Sequence, residues 1–252
     1  SILDLKVNPN DEDLFITANS DGNIRLYSIK ENYNLMHIFN TGKNMNNKGI
    51  VSSQNGNTKL SGYFNINNNN SNHITSLKWS PKYKNLFASG DSFLFLRIFD
   101  IDTKKQIISY QNIIKQDIKN NSNLQRNEQN DLVIQGIDWN THDNIIVCVN
   151  IRILLFSFSI NNKNEKNVYS LILINEIKLN NFIYNPQFDP NNEHIITPCE
   201  DGNIYFYSTT NDKLGKIIDI NGSPSKEIKG HKKRINNITF NNSKTILASA
   251  GE

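Results

Sequence analysis

Gly90-Asp91-Ser92-Phe93 sets a serine directly behind a glycine and an aspartate, an arrangement in which the hydroxyl could serve as a nucleophile. That chemistry needs a histidine base oriented by an acid, normally from a D-x-x-H stretch. The residues three positions before the five histidines are Asn34, Asn70, Trp139, Asn191 and Ile228, so no such stretch exists. The tetrapeptide therefore reads as an aspartate turn between two strands. His37, His73, His142, His194 and His231 are dispersed, and H-E-x-x-H, paired C-x-x-C and a P-loop Gly-Lys pattern are all missing from the sequence. No catalytic residues, no cofactor and no metal are expected. Asp11, Glu12 and Asp13 form a short acidic run that could attract a cation, but a solvated hairpin tip is the better reading. The densest basic stretch is Lys226, Lys229, Lys232, Lys233 and Arg234 around His231. Such a stretch attracts phosphate, yet no aromatic lies between Lys226 and Ile238 to stack on a base. A solvated rim loop, or one that meets an acidic protein, explains it better.

The elements that must carry these residues show as a recurring unit. It is clearest at residues 2–28 (ILDLKVNPNDEDLFITANSDGNIRLYS) and 74–100 (ITSLKWSPKYKNLFASGDSFLFLRIFD). Each copy has an alternating run, a polar turn, a second apolar run, an aspartate turn and a strand with an aromatic at its end. Ile74, Ser76 and Lys78 alternating with Thr75, Leu77 and Trp79 is the period-2 pattern of a strand. Asn8-Pro9 and Ser80-Pro81 close the first strand with turn chemistry that a helix would not tolerate. Further copies run over 134–158 and 182–208, and another opens at 229–252.

This unit resembles the WD40 repeat. Gly230-His231 is similar to the family's GH pair, Asp21-Gly22 and Asp201-Gly202 to its aspartate turn, and Trp79-Ser80-Pro81 to the end of its innermost strand. Ile24-Arg25-Leu26-Tyr27, Leu96-Arg97-Ile98-Phe99 and Ile204-Tyr205-Phe206-Tyr207 are similar to the strand that ends in the WD dipeptide, with Tyr or Phe in place of Trp. The resemblance implies an all-β fold: a partial WD40-like propeller of four-stranded antiparallel blades, at about 1–39, 73–110, 132–179 and 181–229, with a fifth begun at 230–252. It also implies a hydrogen-bond network to which His73, Ser89 and Asp91 would contribute in the second blade and His231 with Ser249 in the fifth. Asp21 and Asp201 would hold the corresponding turns.

Composition sets outer bounds. A chain of 252 residues with 37% hydrophobic content buries a substantial core as one domain. The copies are spaced more widely than the usual interval of about 40–45 residues per blade. The surplus falls in the Asn-, Ser- and Lys-rich stretches 40–72 and 111–131, expected to be low-complexity loop insertions. A net charge of +3 is too mild to demand nucleic acid. Cys148 and Cys199 occupy comparable strand positions where a small buried residue is expected, and a reducing, intracellular setting fits them better than a disulfide. No apolar run reaches the roughly 18 residues that span a bilayer, so no membrane insertion is expected. Because the sequence opens inside an innermost strand and stops short of its last aspartate, it is expected to be a segment of a longer propeller.

The resulting expectation is a non-catalytic scaffold that binds proteins within a multiprotein assembly. Its partner-binding candidates are the loops leading into innermost strands (His73, Lys232, Lys233, Arg234) and the aspartate-turn loops (Asn19, Ser20, Phe93, Glu200). The longer turn of the second blade sets Phe93 near its tip, as an exposed anchor or as a cap folded back on the blade. The alternative is an RNA- or chromatin-associated subunit whose basic loop near His231 touches phosphate.

Overall fold

The computed structural model describes residues 1–41, 72–111, 133–163, 166–241, 243 and 245–252. Most of the two low-complexity stretches, residues 42–71 and 112–131, lies outside the described residues. Every regular element among the described residues is a β-strand.

The strands form successive antiparallel sheets in chain order. The first contains β1 (Ile2–Asn8), β2 (Asp11–Asn19), β3 (Asn23–Ser28) and β4 (Asn34–Asn40). The second contains β5 (Ile74–Trp79), β6 (Leu86–Asp91), β7 (Leu96–Asp100) and β8 (Lys105–Tyr110), and the third β9 (Gly136–Trp139), β10 (Asn144–Val149), β11 (Arg152–Lys163) and β12 (Lys166–Lys178). In the fourth, β13 (Gln187–Phe188), β14 (His194–Pro198) and β15 (Asn203–Asn211) are followed by an outer position shared between β16 (Ile217–Ile220) and β17 (Lys226–Lys229). Pro224 lies in the link between those two pieces, and a residue without an N–H cannot extend a ladder. β18 (Ile235–Phe240) and β19 (Leu247–Gly251) form a last pair. This is the all-β, partial WD40-like propeller that the repeats imply; β1 forms no ladder with the last pair among the described residues.

Side-chain alternation explains the layering. In β3, Ile24, Leu26 and Ser28 point inward while Asn23, Arg25 and Tyr27 stay half-exposed, as a strand covered on one face requires. β7 and β10 are buried along their whole length, because the second and third sheets have a neighbour on each side. Aromatic side chains fill the space between the first two sheets: Phe87 stacks on Phe99 at 5.1 Å between centroids and meets Trp79 and Phe39 edge-on. Between the second and third, Phe158 lies among Tyr83, Trp139 and Tyr169.

Polar bonds tie the first strands of adjacent sheets together. Leu77 N donates to Asp4 Oδ2 at 2.9 Å and Trp79 Nε1 to Lys6 O at 3.0 Å, linking the first sheet to the second. Lys78 pairs with Asp138 at 2.6 Å, Phe188 N donates to Asp138 at 2.8 Å, and Gln187 Nε2 donates to Ile238 O at 2.6 Å, continuing the series to the last pair. A register shift recurs at the start of β1, β5 and β18, so the same irregularity marks three of the innermost strands. Trp139 differs from Trp79 in that its indole N–H is buried without a hydrogen-bond partner among the described residues.

Candidate functional site

The tight turns after the second strands and the loops leading into the first strands gather at one end of the sheets. Asp21-Gly22 and Asp201-Gly202 build the same turn. Each aspartate accepts the main-chain N–H two residues on, Asn23 N or Asn203 N, at 3.0 Å, and each glycine takes a left-handed φ of 78° or 82°. The Arg25 guanidinium holds the Asp21 carboxyl well below the usual carboxylate range. A neighbouring loop presses on each glycine: a Cβ on Gly22 would come within 2.9 Å of Asn72 O, and one on Gly202 would overlap the His231 carbonyl oxygen. Gly202 O in turn accepts His231 N at 2.9 Å. The turns and the loops are therefore fitted to one another, backbone against backbone.

The second sheet departs from the network that the resemblance implies. Asp91 is fully buried and forms an ion pair with Arg97, which is itself only 5% exposed. The Asp91 carboxylate also accepts Asn72 Nδ2 at 3.0 Å and the N–H groups of Phe93 and Phe95 at 2.9 Å each. The Ser89 hydroxyl is buried with no hydrogen-bond partner among the described residues, so His73, Ser89 and Asp91 are not joined through it there. The cause is register: Arg97 lies opposite Ser89 across the ladder and pairs with the acid that the resemblance assigns to the serine's network. In the last strand pair, His231 Nε2 does reach Ser249 Oγ, at 2.9 Å.

The candidate residues form two sets at this end. His73 Nδ1 faces Ser20 O at 2.5 Å, and Ser92 N donates to His73 O at 2.9 Å, bringing Ser20, His73 and the turn that carries Phe93 together. Phe93 is half-buried. Asn19 is turned inward and buried, with Nδ2 donating to Thr17 O, Thr17 Oγ1 and Asn23 O, so its amide nitrogen serves the turn. The second set joins the fourth sheet to the last pair: Glu200, Lys232 and Lys233 are exposed around His231. Arg234 is exposed too, but its guanidinium is held by Glu252 and lies 5.8 Å from the Tyr184 ring.

Sequence reasoning missed Arg97, Phe95 and Tyr205. The Phe95 ring lies 4.2 Å from the Arg97 guanidinium. Tyr205 OH donates to Asp201 at 2.6 Å, beside Asn181 Nδ2 at 2.7 Å. A charged residue inside the apolar run Leu96–Phe99 was the available signal for the first of these.

Chemistry at the remaining candidates is that of turns. Ser92 Oγ accepts the His73 main-chain N–H at 3.0 Å, while His73 Nδ1 faces Ser20 O. Asp13 accepts Lys30 N at 2.6 Å, which lowers its pKa, and also Ser28 Oγ, fastening the acidic run to the next turn. Asp189, Glu193 and His194 place one potential ligand atom each within 4.8 Å of one another. Their contacts, Glu193 N to Asp189 at 2.8 Å and His194 Nδ1 to Asp189 at 3.1 Å, close the turn before β14. Cys148 and Cys199 are both free and buried, and burial pushes the Cys199 thiol up to about 12.

The sequence model of the WD domain, G-beta repeat family (WD40) matches residues 222–252, which contain β17, β18 and β19. This stretch therefore carries a WD40 repeat, the family that the earlier copies also resemble. A search of curated proteins gives no match.

Proposed function

We propose that this protein is a non-catalytic scaffold that binds other proteins and acts within a multiprotein assembly. WD40 repeats generally mediate protein–protein interaction, and the matched repeat at 222–252 is the starting point. The observation that carries the reading is the main-chain hydrogen bonding between turns and loops at one end of the sheets. There, Ser92 N to His73 O, Glu200 N to Phe182 O and His231 N to Gly202 O fix the turns against the loops at 2.9–3.0 Å. A surface whose backbone is already ordered loses little entropy on binding, which is the property a docking face needs. Ser20, His73, Phe93, Glu200, Lys232, Lys233 and Arg234 are its contact candidates.

One observation favours a second reading, in which the protein is an RNA- or chromatin-associated subunit. Lys229, Lys232 and Lys233 are exposed and make no ion pair among the described residues. Affinity purification from native cells at low and high salt, with and without nuclease, separates the two. The scaffold reading expects a fixed set of proteins that survives both treatments. Loss of that set with nuclease, or a steep loss with salt, supports the phosphate-binding reading instead.

A further inference from the structure

Adjacent sheets pack in one orientation. The face of the first sheet that carries Ile16 and Ala18 lies against the face of the second that carries Leu77, Trp79, Phe87 and Phe99. The next junction repeats this: Ala88 shares a buried cluster with Ile137 and Trp139, and a Cβ on Gly90 would come within 3.1 Å of Ile137 Cδ1. Register identifies the corresponding positions. Leu5↔Thr17 and Val7↔Phe15 in the first sheet answer to Leu77↔Ser89 and Trp79↔Phe87 in the second, and to Ile238↔Ser249 and Phe240↔Leu247 in the last pair. On the other face, Lys6↔Ile16 and Asp4↔Ala18 answer to Lys78↔Ala88 and Ser76↔Gly90, and to Thr239↔Ala248 and Asn237↔Ala250.

Each end of the series therefore leaves open a face that its counterparts bury. In the first sheet Leu5 and Val7 are each 48% exposed, where Leu77 and Trp79 are at 0% and 2%. Phe15 and Tyr27 are half-buried, where Phe87 and Phe99 are fully buried. Leu35, opposite Tyr27 on β4, extends the row across all four strands and is exposed too. In the last pair the opposite face is open. Ile235 and Ile238 are buried with Ile196 and Ile204 of the fourth sheet, while Thr239, Ala248 and Ala250 are exposed. Ile16, Ala18 and Ala88, at the positions of these two alanines, are buried.

The two open faces complement one another. One is bulky and apolar, and the other is small and uncharged, as Ala88 and Gly90 are where they meet the third sheet. Aliphatic and aromatic surface of this kind gains by leaving water. We propose that the exposed face of the first sheet receives the β18–β19 face of a second copy of this chain, in the register that joins sheets within the molecule. Leu5 then lies at Ala250 of the other copy, as Ile137 lies at Gly90. The contact joins two different patches, so it is head to tail, and each copy in it has one further face to offer. It follows from the packing of the sheets and does not depend on the scaffold reading.

The test is sedimentation velocity on the intact chain across the micromolar range, with a variant for each face: Leu5→Lys with Val7→Lys, and Ala250→Arg. The unaltered chain is expected to grow in mass with concentration. Each variant alone should associate about a hundredfold more weakly, because the contact would bury an unpaired charge. An equimolar mixture should regain association and stop at dimers, since the first variant keeps an intact β18–β19 face and the second an intact first sheet. Ala248→Arg is a second variant of the small face, and urea midpoints near that of the unaltered chain show that the variants fold. A chain that stays monomeric throughout overturns the proposal, and the face then belongs to another part of this chain or to a different protein. Full association by both arginine variants also overturns it, by marking a symmetric contact between first sheets. So does a mixture of folded variants that fails to associate.

Discussion

Asp91 and Arg97 form an ion pair with almost no solvent around it, and the carboxylate has three further donors in the same turn. Removing one partner of such a pair leaves an uncompensated buried charge, at a cost of about 3–5 kcal/mol. Asp91→Asn should therefore lower unfolding free energy by about that amount in urea denaturation, and a loss below about 1 kcal/mol would show that the pair is not held as described. His37 offers a pH readout. Its half-buried ring meets Phe39 edge-on at 4.6 Å, and burial, with the Lys104 charge second, lowers its pKa below 6.5. The stability it contributes is present above pH 6.5 and is lost as pH falls through the lower folded value, since only the unfolded chain binds that proton readily. His37→Gln should flatten the stability change between about pH 7.5 and pH 5, and an identical slope in the variant would place the titration elsewhere. At this scale the sequence was partly legible. The Asp-Gly turns follow from local chemistry, because aspartate and glycine favour that backbone without outside help. The Asp91–Arg97 pair does not, since it depends on which residue faces Ser89 across the ladder.

The turn glycines join local conformation to assembly of the sheets. Gly202 has a left-handed φ of 82°, and the His231 carbonyl leaves its Cβ position no room. Gly202→Ala adds left-handed strain of about 1–2 kcal/mol and a clash with backbone, which cannot swing aside as a side chain would. The expected result is destabilisation of at least that size, together with displacement of the Gly230–Arg234 loop. Calorimetry and the amide shifts of residues 230–235 report the two effects, and an unperturbed loop would contradict the close fit. Strand identities were legible where alternation was strong, as in β1, β3, β5 and β7. Two features were not. β11 and β12 pair as far as Lys163 and Lys166, well past the end of β10, through an Asn- and Lys-rich stretch that carries no apolar alternation. The outer position of the fourth sheet is divided between two short strands: Pro224 marks the break locally, but the return of both pieces to β15 is long-range pairing that the local pattern does not encode.

Stacking of successive sheets was legible at the scale of the molecule, because a unit that repeats in phase buries its faces only against copies of itself. Division of the partner-facing candidates into two sets, one where the first and second sheets meet and one where the fourth meets the last pair, was not. It follows from loop contacts between residues as far apart as Ser20 and His73 or Gly202 and His231. The first sheet shows what the same logic leaves open. The Asp4 carboxylate accepts a bond from the second sheet and pairs with the Lys6 ammonium, so alternation turns Leu5 and Val7 to the opposite face, where they are exposed, as is Leu3. Phe15 and Tyr27 stack at 4.9 Å, and the pairings Val7↔Phe15 and Phe15↔Tyr27 place them on that same face. Tyr33 meets Phe15 edge-on. A contiguous aliphatic and aromatic surface of this kind binds apolar dye and drives association. The chain is expected to enhance the fluorescence of anilinonaphthalene sulfonate while fully folded. Leu5→Lys with Val7→Lys should reduce that signal and light scattering at high concentration, with a stability change within about 0.5 kcal/mol per site because both side chains are already exposed. Undiminished dye binding in the double variant would move the apolar surface elsewhere, whereas a large loss of stability would mean that Leu5 and Val7 are packed rather than exposed.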